Sequence, residues 1–353
     1  MNPAAKASTG QGTPAHGADP VAGRPLGSDS AGAPAPSPAP WRTAAEALLT
    51  TADGVRIHAE HRPYAPDPDP DSAPDSAPDP APEGGEPERA AADAAAAAAG
   101  STAIVVVHGF TGAVERPAVR RAVAEFRRHA GVVTFSMRGH GRSGGRSTVG
   151  AREVLDLDAA VGWARSLGYR RIVTVGFSLG GAVAVRHAAV CGEPGRVSAV
   201  AAVSAPARWY YRGTLPMRRL HWVVMRPLGR VVGRLGLKTR IDAVPWPDST
   251  GGGRPLDYEP SVRRYGEPLP PTGAAALLPA RGVRLLVVHG DADPYFPLDH
   301  PRSLVDAYDR QAAGGPAAEL WIEHGFGHAE NAAPGPLLER IGRWLAGPPT
   351  GAA

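Results

Sequence analysis

The 353-residue sequence has two lysines, Lys6 and Lys238, and one cysteine, Cys191. One cysteine excludes an internal disulfide framework and cysteine-rich zinc modules. Two lysines among 38 basic residues leave 36 arginines. With Ala, Gly and Pro also abundant, that bias reads as a GC-rich coding preference. The net charge of +4 therefore says little about partners. No basic run is interleaved with aromatics and no C2H2 spacing occurs, so nucleic-acid binding is not expected. No apolar stretch reaches 18 residues, so no transmembrane segment is expected. Met1 to Pro40 lacks the apolar core of a secretory signal, and a cytoplasmic protein is the expectation.

Glycine and proline are in excess. The 44 Gly and 38 Pro make up nearly twice the usual share of roughly 12%. The proline is concentrated, with eight in residues 1–40 and nine in residues 63–100. The first stretch reads as a disordered tail. The second carries nine acidic residues against one basic residue, Arg89, and reads as an extended, solvated insertion. Residues 41–346 are expected to form one domain around that insertion, with residues 347–353 as a tail.

Within the domain, Leu48–Thr51 and Val55–Ala59 flank Ala52-Asp53-Gly54, a hairpin signal. From residue 101 onward, apolar runs without alternation recur at Ala103–Val107, Val132–Phe135, Ile172–Val175, Val197–Val203, Val283–Val288 and Leu320–Ile322. Such runs suit strands buried on both faces of a parallel sheet. Helical stretches separate them at Pro117–Arg128, Ala151–Leu167, Leu179–Val190, Arg302–Gln311 and Gly335–Leu345. The alternation predicts an α/β fold with a doubly wound, mostly parallel sheet. Residues 206–280 interrupt the rhythm. There Met217, Leu220, Val224, Leu228, Val231 and Leu235 recur at helical spacing, with Pro227 set to kink the helix. This segment is expected to be a helical cap or lid. Its basic amphipathic stretch, 215–237, allows weak contact with a membrane surface, although covering the sheet is the expected role.

Gly176-Phe177-Ser178-Leu179-Gly180 is a G-x-S-x-G pentapeptide between an apolar strand and a small-residue helix. That is the context of a nucleophile elbow, in which Ser178 sits on a strained turn and the next amide, Leu179, faces the reaction centre. A serine hydroxyl needs a base to take its proton, and the base needs an orienting acid. Asp291 and Asp293 follow the strand ending at His289-Gly290. His328 follows the last strand within Gly325-Phe326-Gly327-His328.

On these motifs the sequence resembles the α/β-hydrolase-fold serine hydrolases of the esterase, lipase and serine-peptidase group, over roughly residues 45–62 and 101–346. The resemblance implies a triad of Ser178, Asp293 and His328, with Asp291 as the rival acid. It implies oxyanion donors at the amides of Phe110, in His108-Gly109-Phe110, and of Leu179. His108 is read as holding that loop and His324 as a loop residue. The resemblance also matches Arg138-Gly139-His140-Gly141-Arg142-Ser143 to a loop usually preceded by Asp. Here Ser136 and Met137 precede it, which is expected to weaken the loop's hydrogen bonding.

The same residues admit other readings. Gly139, Gly141 and Gly144 with Asp158 satisfy a dinucleotide fingerprint, but no helix N-terminus follows closely enough to take a phosphate. His289, Asp291, Asp293, Asp299 and His300 match no closed metal motif, so no metal and no organic cofactor is expected. Cys191 reads as packing. Trp209, Tyr210 and Tyr211 either line a pocket or pack beneath the cap. The expected function is hydrolysis of a carboxylic ester or related acyl bond in a small-molecule acyl substrate, through an acyl-enzyme. An acyltransferase with the same triad and a non-hydrolytic ligand receptor are the alternatives.

Overall fold

The computed structural model describes residues 43–66, 100–193, 195–242 and 269–347. The expected tail at 1–40, residues 67–99 of the acidic insertion, residues 243–268 of the 206–280 segment and the last six residues lie outside that set.

Eight strands form one sheet. They are β1 (Ala45–Thr50), β2 (Arg56–Arg62), β3 (Thr102–Val107), β4 (Gly131–Phe135), β5 (Arg171–Phe177), β6 (Ala199–Val203), β7 (Arg284–Gly290) and β8 (Glu319–Glu323). Their order across the sheet is β1-β2-β4-β3-β5-β6-β7-β8. β1 and β2 form the expected antiparallel hairpin, and β2 joins β4 antiparallel. The remaining pairings are parallel. The unalternating runs are accounted for by burial on both faces. Ala103, Val105 and Val107 of β3 face one apolar cluster, while Ile104 and Val106 face the other.

The helices in chain order are α1 (Pro117–Phe126), α2 (Glu153–Ser166), α3 (Leu179–Val190), α4 (Leu215–Met225), α5 (Pro227–Leu235), α6 (Pro271–Ala275), α7 (Asp299–Asp309), α8 (Ala329–Ala332) and α9 (Gly335–Ala346). α1 and α9 cover one face of the sheet through Val119, Phe126, Leu338 and Ile341. α2, α3, α6 and α7 cover the other through Leu157, Val183, Ala274 and Leu304. No helix among the described residues is long and apolar enough to cross a membrane.

One expectation from the periodicity needs correction. The stripe from Met217 to Leu235 does not face one way. The helix stops at Met225, Arg226 adopts an extended conformation with φ −96° and ψ 138°, and α5 restarts at Pro227. A residue before proline is driven out of the α region, which explains the break. Met217 and Val224 are buried, whereas Leu228, Val231 and Leu235 are exposed.

Candidate active site

β5 ends at Phe177 and α3 begins at Leu179, leaving Ser178 alone to make the turn. Its backbone sits at φ 52° and ψ −118°, a conformation whose cost of roughly 1–3 kcal/mol persists only where the surroundings impose it. The surroundings here are backbone. A β-carbon on Gly176 would lie 2.2 Å from the Gly180 carbonyl oxygen, and one on Gly180 would lie 2.3 Å from that of Val107. Both glycines of the pentapeptide are therefore required by the close approach of strand and helix. The Ser178 amide donates to the Val203 carbonyl at 2.8 Å, tying the turn to the end of β6.

Ser178 Oγ lies 2.8 Å from His328 Nε2, and His328 Nδ1 lies 2.7 Å from Asp293 Oδ2. An ionised carboxylate can only accept, so Nδ1 carries the hydrogen and Nε2 presents its lone pair to the serine hydroxyl. The Asp293 side chain is 1% exposed. Its Oδ1 accepts the amides of Tyr295 and Phe296 at 2.7 and 3.2 Å. Burial pushes this carboxyl up. The hydrogen bond and charge of His328, with the Tyr295 amide, outweigh that effect and hold it below the usual carboxylate range. The rings of Tyr295 and Phe296 flank His328, with centroids 4.3 and 5.6 Å away. Behind the imidazole, Ser204 Oγ accepts the Ala329 amide at 3.1 Å.

The rival acid has a different task. Asp291 Oδ2 meets His324 Nδ1 at 2.7 Å, and its Oδ1 accepts the Gly325 amide at 2.7 Å. It closes the turn that leads to His328. The other members of the metal-like group also diverge. Asp299 pairs with Arg208, His300 Nδ1 accepts the Ala207 amide, and His289 Nε2 donates to the Phe296 carbonyl.

Phe110 and Leu179 line the same space as Ser178 and His328. Among the described residues, neither amide donates to another backbone group. His108 is fully buried. Its Nδ1–H donates to the Gly109 carbonyl at 2.7 Å and its Nε2 accepts the Met137 amide at 2.9 Å. Burial lowers its pKa to about 3, so the ring stays neutral and works as a strut.

Glu330 is a site residue that the sequence reading missed. Its carboxyl is buried, Oε1 accepts the Gly109 amide at 2.9 Å, and burial raises its pKa. Arg121 donates to the Glu330 carbonyl and, more weakly, to that of Ala333. The available signal was an acid two residues after His328, opening a short helix, but nothing local linked it to Gly109.

The glycine-rich loop after β4 is firmly held. Glu153 accepts hydrogen bonds from the amides of Thr148 and Gly150 and from the hydroxyls of Ser147 and Thr148. Arg138 lies between Asp156 and Asp53, and Ser136 Oγ accepts the Val114 amide. The expected weakening of the loop is not seen, because α2 supplies the acids from the other side. The amides of Gly139, His140, Ser143 and Gly144 already donate to backbone carbonyls and that of Arg138 to Asp156, so the fingerprint does not offer them to a phosphate. Asp158 points elsewhere, with Oδ1 3.3 Å from His187 Nε2. Cys191 is buried nearby, and burial pushes its thiol pKa up.

A cavity of about 460 Å³ opens over Ser178, with walls from Leu179, Trp209, Met217, Leu220, Val223 and Tyr295. Trp209, Tyr210 and Tyr211 all contribute to its lining, which decides between the two readings of those aromatics. Trp209 is fixed by its indole N–H, which donates to the Leu269 carbonyl at 2.8 Å. The space is predominantly apolar and aromatic, and Ser178 and His328 are among its lining residues.

Residues 102–222 match the family model described as the alpha/beta hydrolase fold. Among curated proteins, no sequence matches the chain. Among solved structures, an esterase from Pyrococcus furiosus is similar with a TM-score of 0.55 at 17% identity, covering 87% of this chain and 93% of that one. In another crystal form of that esterase the TM-score is 0.54 at 19% identity, covering 86% and 90%. At such identities the likeness concerns the fold, and it agrees with the strand order and the family match. The chain has the α/β-hydrolase fold.

Proposed function

We propose that this chain is a serine hydrolase that cleaves a carboxylic ester or related acyl bond. The observation that carries this reading is the continuous hydrogen-bonded series from Ser178 Oγ through His328 to Asp293. His328 Nε2 takes the serine proton as Oγ attacks the acyl carbonyl, and Asp293 stabilises the imidazolium that results. The amides of Phe110 and Leu179 receive the oxyanion, and loss of one such donor typically costs roughly 3–4 kcal/mol of barrier. His328 then gives its proton to the leaving alcohol or amine, leaving an acyl-Ser178 ester. A water that His328 deprotonates releases the acid. The cavity walls favour an apolar acyl group over a polar one.

A fluorophosphonate probe tests the reading, because it phosphonylates only an activated serine. Native protein is expected to be labelled at Ser178 and to hydrolyse short-chain p-nitrophenyl esters. Ser178→Ala should do neither. Absent labelling of folded native protein, or equal labelling of Ser178→Ala, overturns it.

A further inference from the structure

Six of the nine large apolar side chains exposed among the described residues lie on α4 and α5: Leu215, Trp222, Leu228, Val231, Val232 and Leu235. Leu235 and Leu228 are 75% and 66% exposed, the highest of the nine. Glycine placement on α5 explains why. Gly229 and Gly233 face inward, so tightly that a β-carbon on Gly229 would lie 2.4 Å from the Trp222 carbonyl oxygen and one on Gly233 2.9 Å from Ile241 Cδ1. With its small face packed, α5 turns its bulky face outward. An ordinary surface helix does the reverse.

Charge accompanies this face. Between Pro206 and Asp242 there are nine basic residues and no acidic one. Arg218, Arg219, Arg226, Arg234 and Lys238 are exposed. On its inner side α4 walls the cavity, through Met217, Leu220 and Val223.

We propose that the outer face of α4 and α5 docks on an anionic phospholipid surface. An apolar stripe flanked by arginines and carrying an exposed Trp fits the boundary between acyl chains and headgroups. The leucines enter the hydrocarbon edge, the guanidinium groups meet phosphate, and the indole sits between them. A second copy of the chain fits poorly, since it would press two sets of like charges together without counter-charges. Docking depends on the shape and charge of this face and not on chemistry at Ser178, so it stands or falls apart from the proposed function.

The test is co-sedimentation of the full chain with vesicles of phosphatidylcholine alone and of phosphatidylcholine with phosphatidylglycerol. Binding to the anionic vesicles is expected to be at least about tenfold tighter and to weaken as salt rises. The double variants L228S/L235S and R226E/R234E should each lose about tenfold or more of that binding while keeping the native Tm, because all four side chains are exposed. Failure of the native chain to bind anionic vesicles overturns the proposal. So does equal binding to neutral ones, or undiminished binding by both folded variants. A dimer that L228S/L235S dissociates would assign the face to a second copy and also overturn it.

Discussion

Glu330 Oε1 accepts the amide hydrogen of Gly109 at 2.9 Å, joining groups 221 residues apart in sequence. One partner belongs to the turn after β3, whose next amide is that of Phe110. The other follows His328 by two residues. Gly109 is held at its far side as well, where its carbonyl accepts from His108 Nδ1 at 2.7 Å and from the Gly112 amide at 3.0 Å. Both peptides flanking Gly109 are thus fixed in orientation.

Removing the acceptor should loosen the loop that presents Phe110. Losing a buried hydrogen bond costs about 1–3 kcal/mol, so Glu330→Ala is expected to lower kcat roughly 5- to 150-fold with KM little changed. Glu330→Gln keeps an acceptor oxygen and should retain most of the activity. Steady-state ester hydrolysis by the two variants checks this. Equal losses would show that the hydrogen bond is not what matters.

The two neighbouring acids should separate cleanly. Asp293→Asn cannot hold His328 with a charged acceptor and is expected to reduce kcat by about 10⁴-fold. Asp291→Asn touches only the turn at His324 and Gly325, and activity should stay within about tenfold of native. Rates of p-nitrophenyl ester cleavage for both variants, at equal folded concentration, decide the matter. The reverse order would exchange their roles.

Acid should destabilise the fold through His108. Its folded pKa of about 3 lies below the unfolded value of about 6.5. Between those limits the unfolded chain binds the proton and the folded chain does not, so stability rises with pH across this window and falls as pH drops. The slope from this residue is about 1.4 kcal/mol per pH unit. Asp293, held below the usual carboxylate range, contributes with the same sign in more acidic solution. The buried, raised carboxyl of Glu330 acts oppositely, losing stability as pH rises above the ordinary carboxylate range. Thermal unfolding at pH 7.5 and 5.0 should show a clear drop in Tm, and histidine NMR at pH 5 should still show His108 neutral with hydrogen on Nδ1.

Leu220 lines the cavity and is half-buried. A larger ring there should fill space that a longer acyl chain needs. Leu220→Trp is expected to cut kcat/KM for octanoyl relative to acetyl esters by about tenfold or more, within the range that one or two methylene-sized contacts command. An acyl-chain series measured on native and variant protein reports the change. An unaltered profile would place the acyl chain elsewhere.

Much of the sheet was legible because burial on both faces leaves a purely local trace. Apolar runs of three to seven residues, bounded by helical stretches, located β3 through β8 within a few residues. The Asp53-Gly54 turn located the β1–β2 hairpin. Gly176, Ser178 and Gly180 were legible for a similar reason, since a tight strand-to-helix turn dictates its own residue types. α5 was misjudged. Periodicity reports that a stripe exists but not which way it points, and the extended Arg226 before Pro227 reset the direction.

Sequence alone determined the strand and helix content and the elbow serine, because each depends on sterics and patterning within a few residues, while the candidate histidine and the choice between two acids followed from the resemblance to α/β hydrolases. Tertiary structure decided which acid meets His328. β7 and β8 pair in parallel with His289 opposite Ile322 and Gly290 opposite Glu323, which brings the turn at 291–293 beside the turn at 324–328. The backbone after Gly290 then directs Asp293 inward to His328 and leaves Asp291 to close the outer turn. The Glu330–Gly109 hydrogen bond and the outward stripe of α5 likewise exist only after distant segments pack. No spacing along the chain encodes the relative orientation of such segments, which is fixed by the register and packing of the whole sheet.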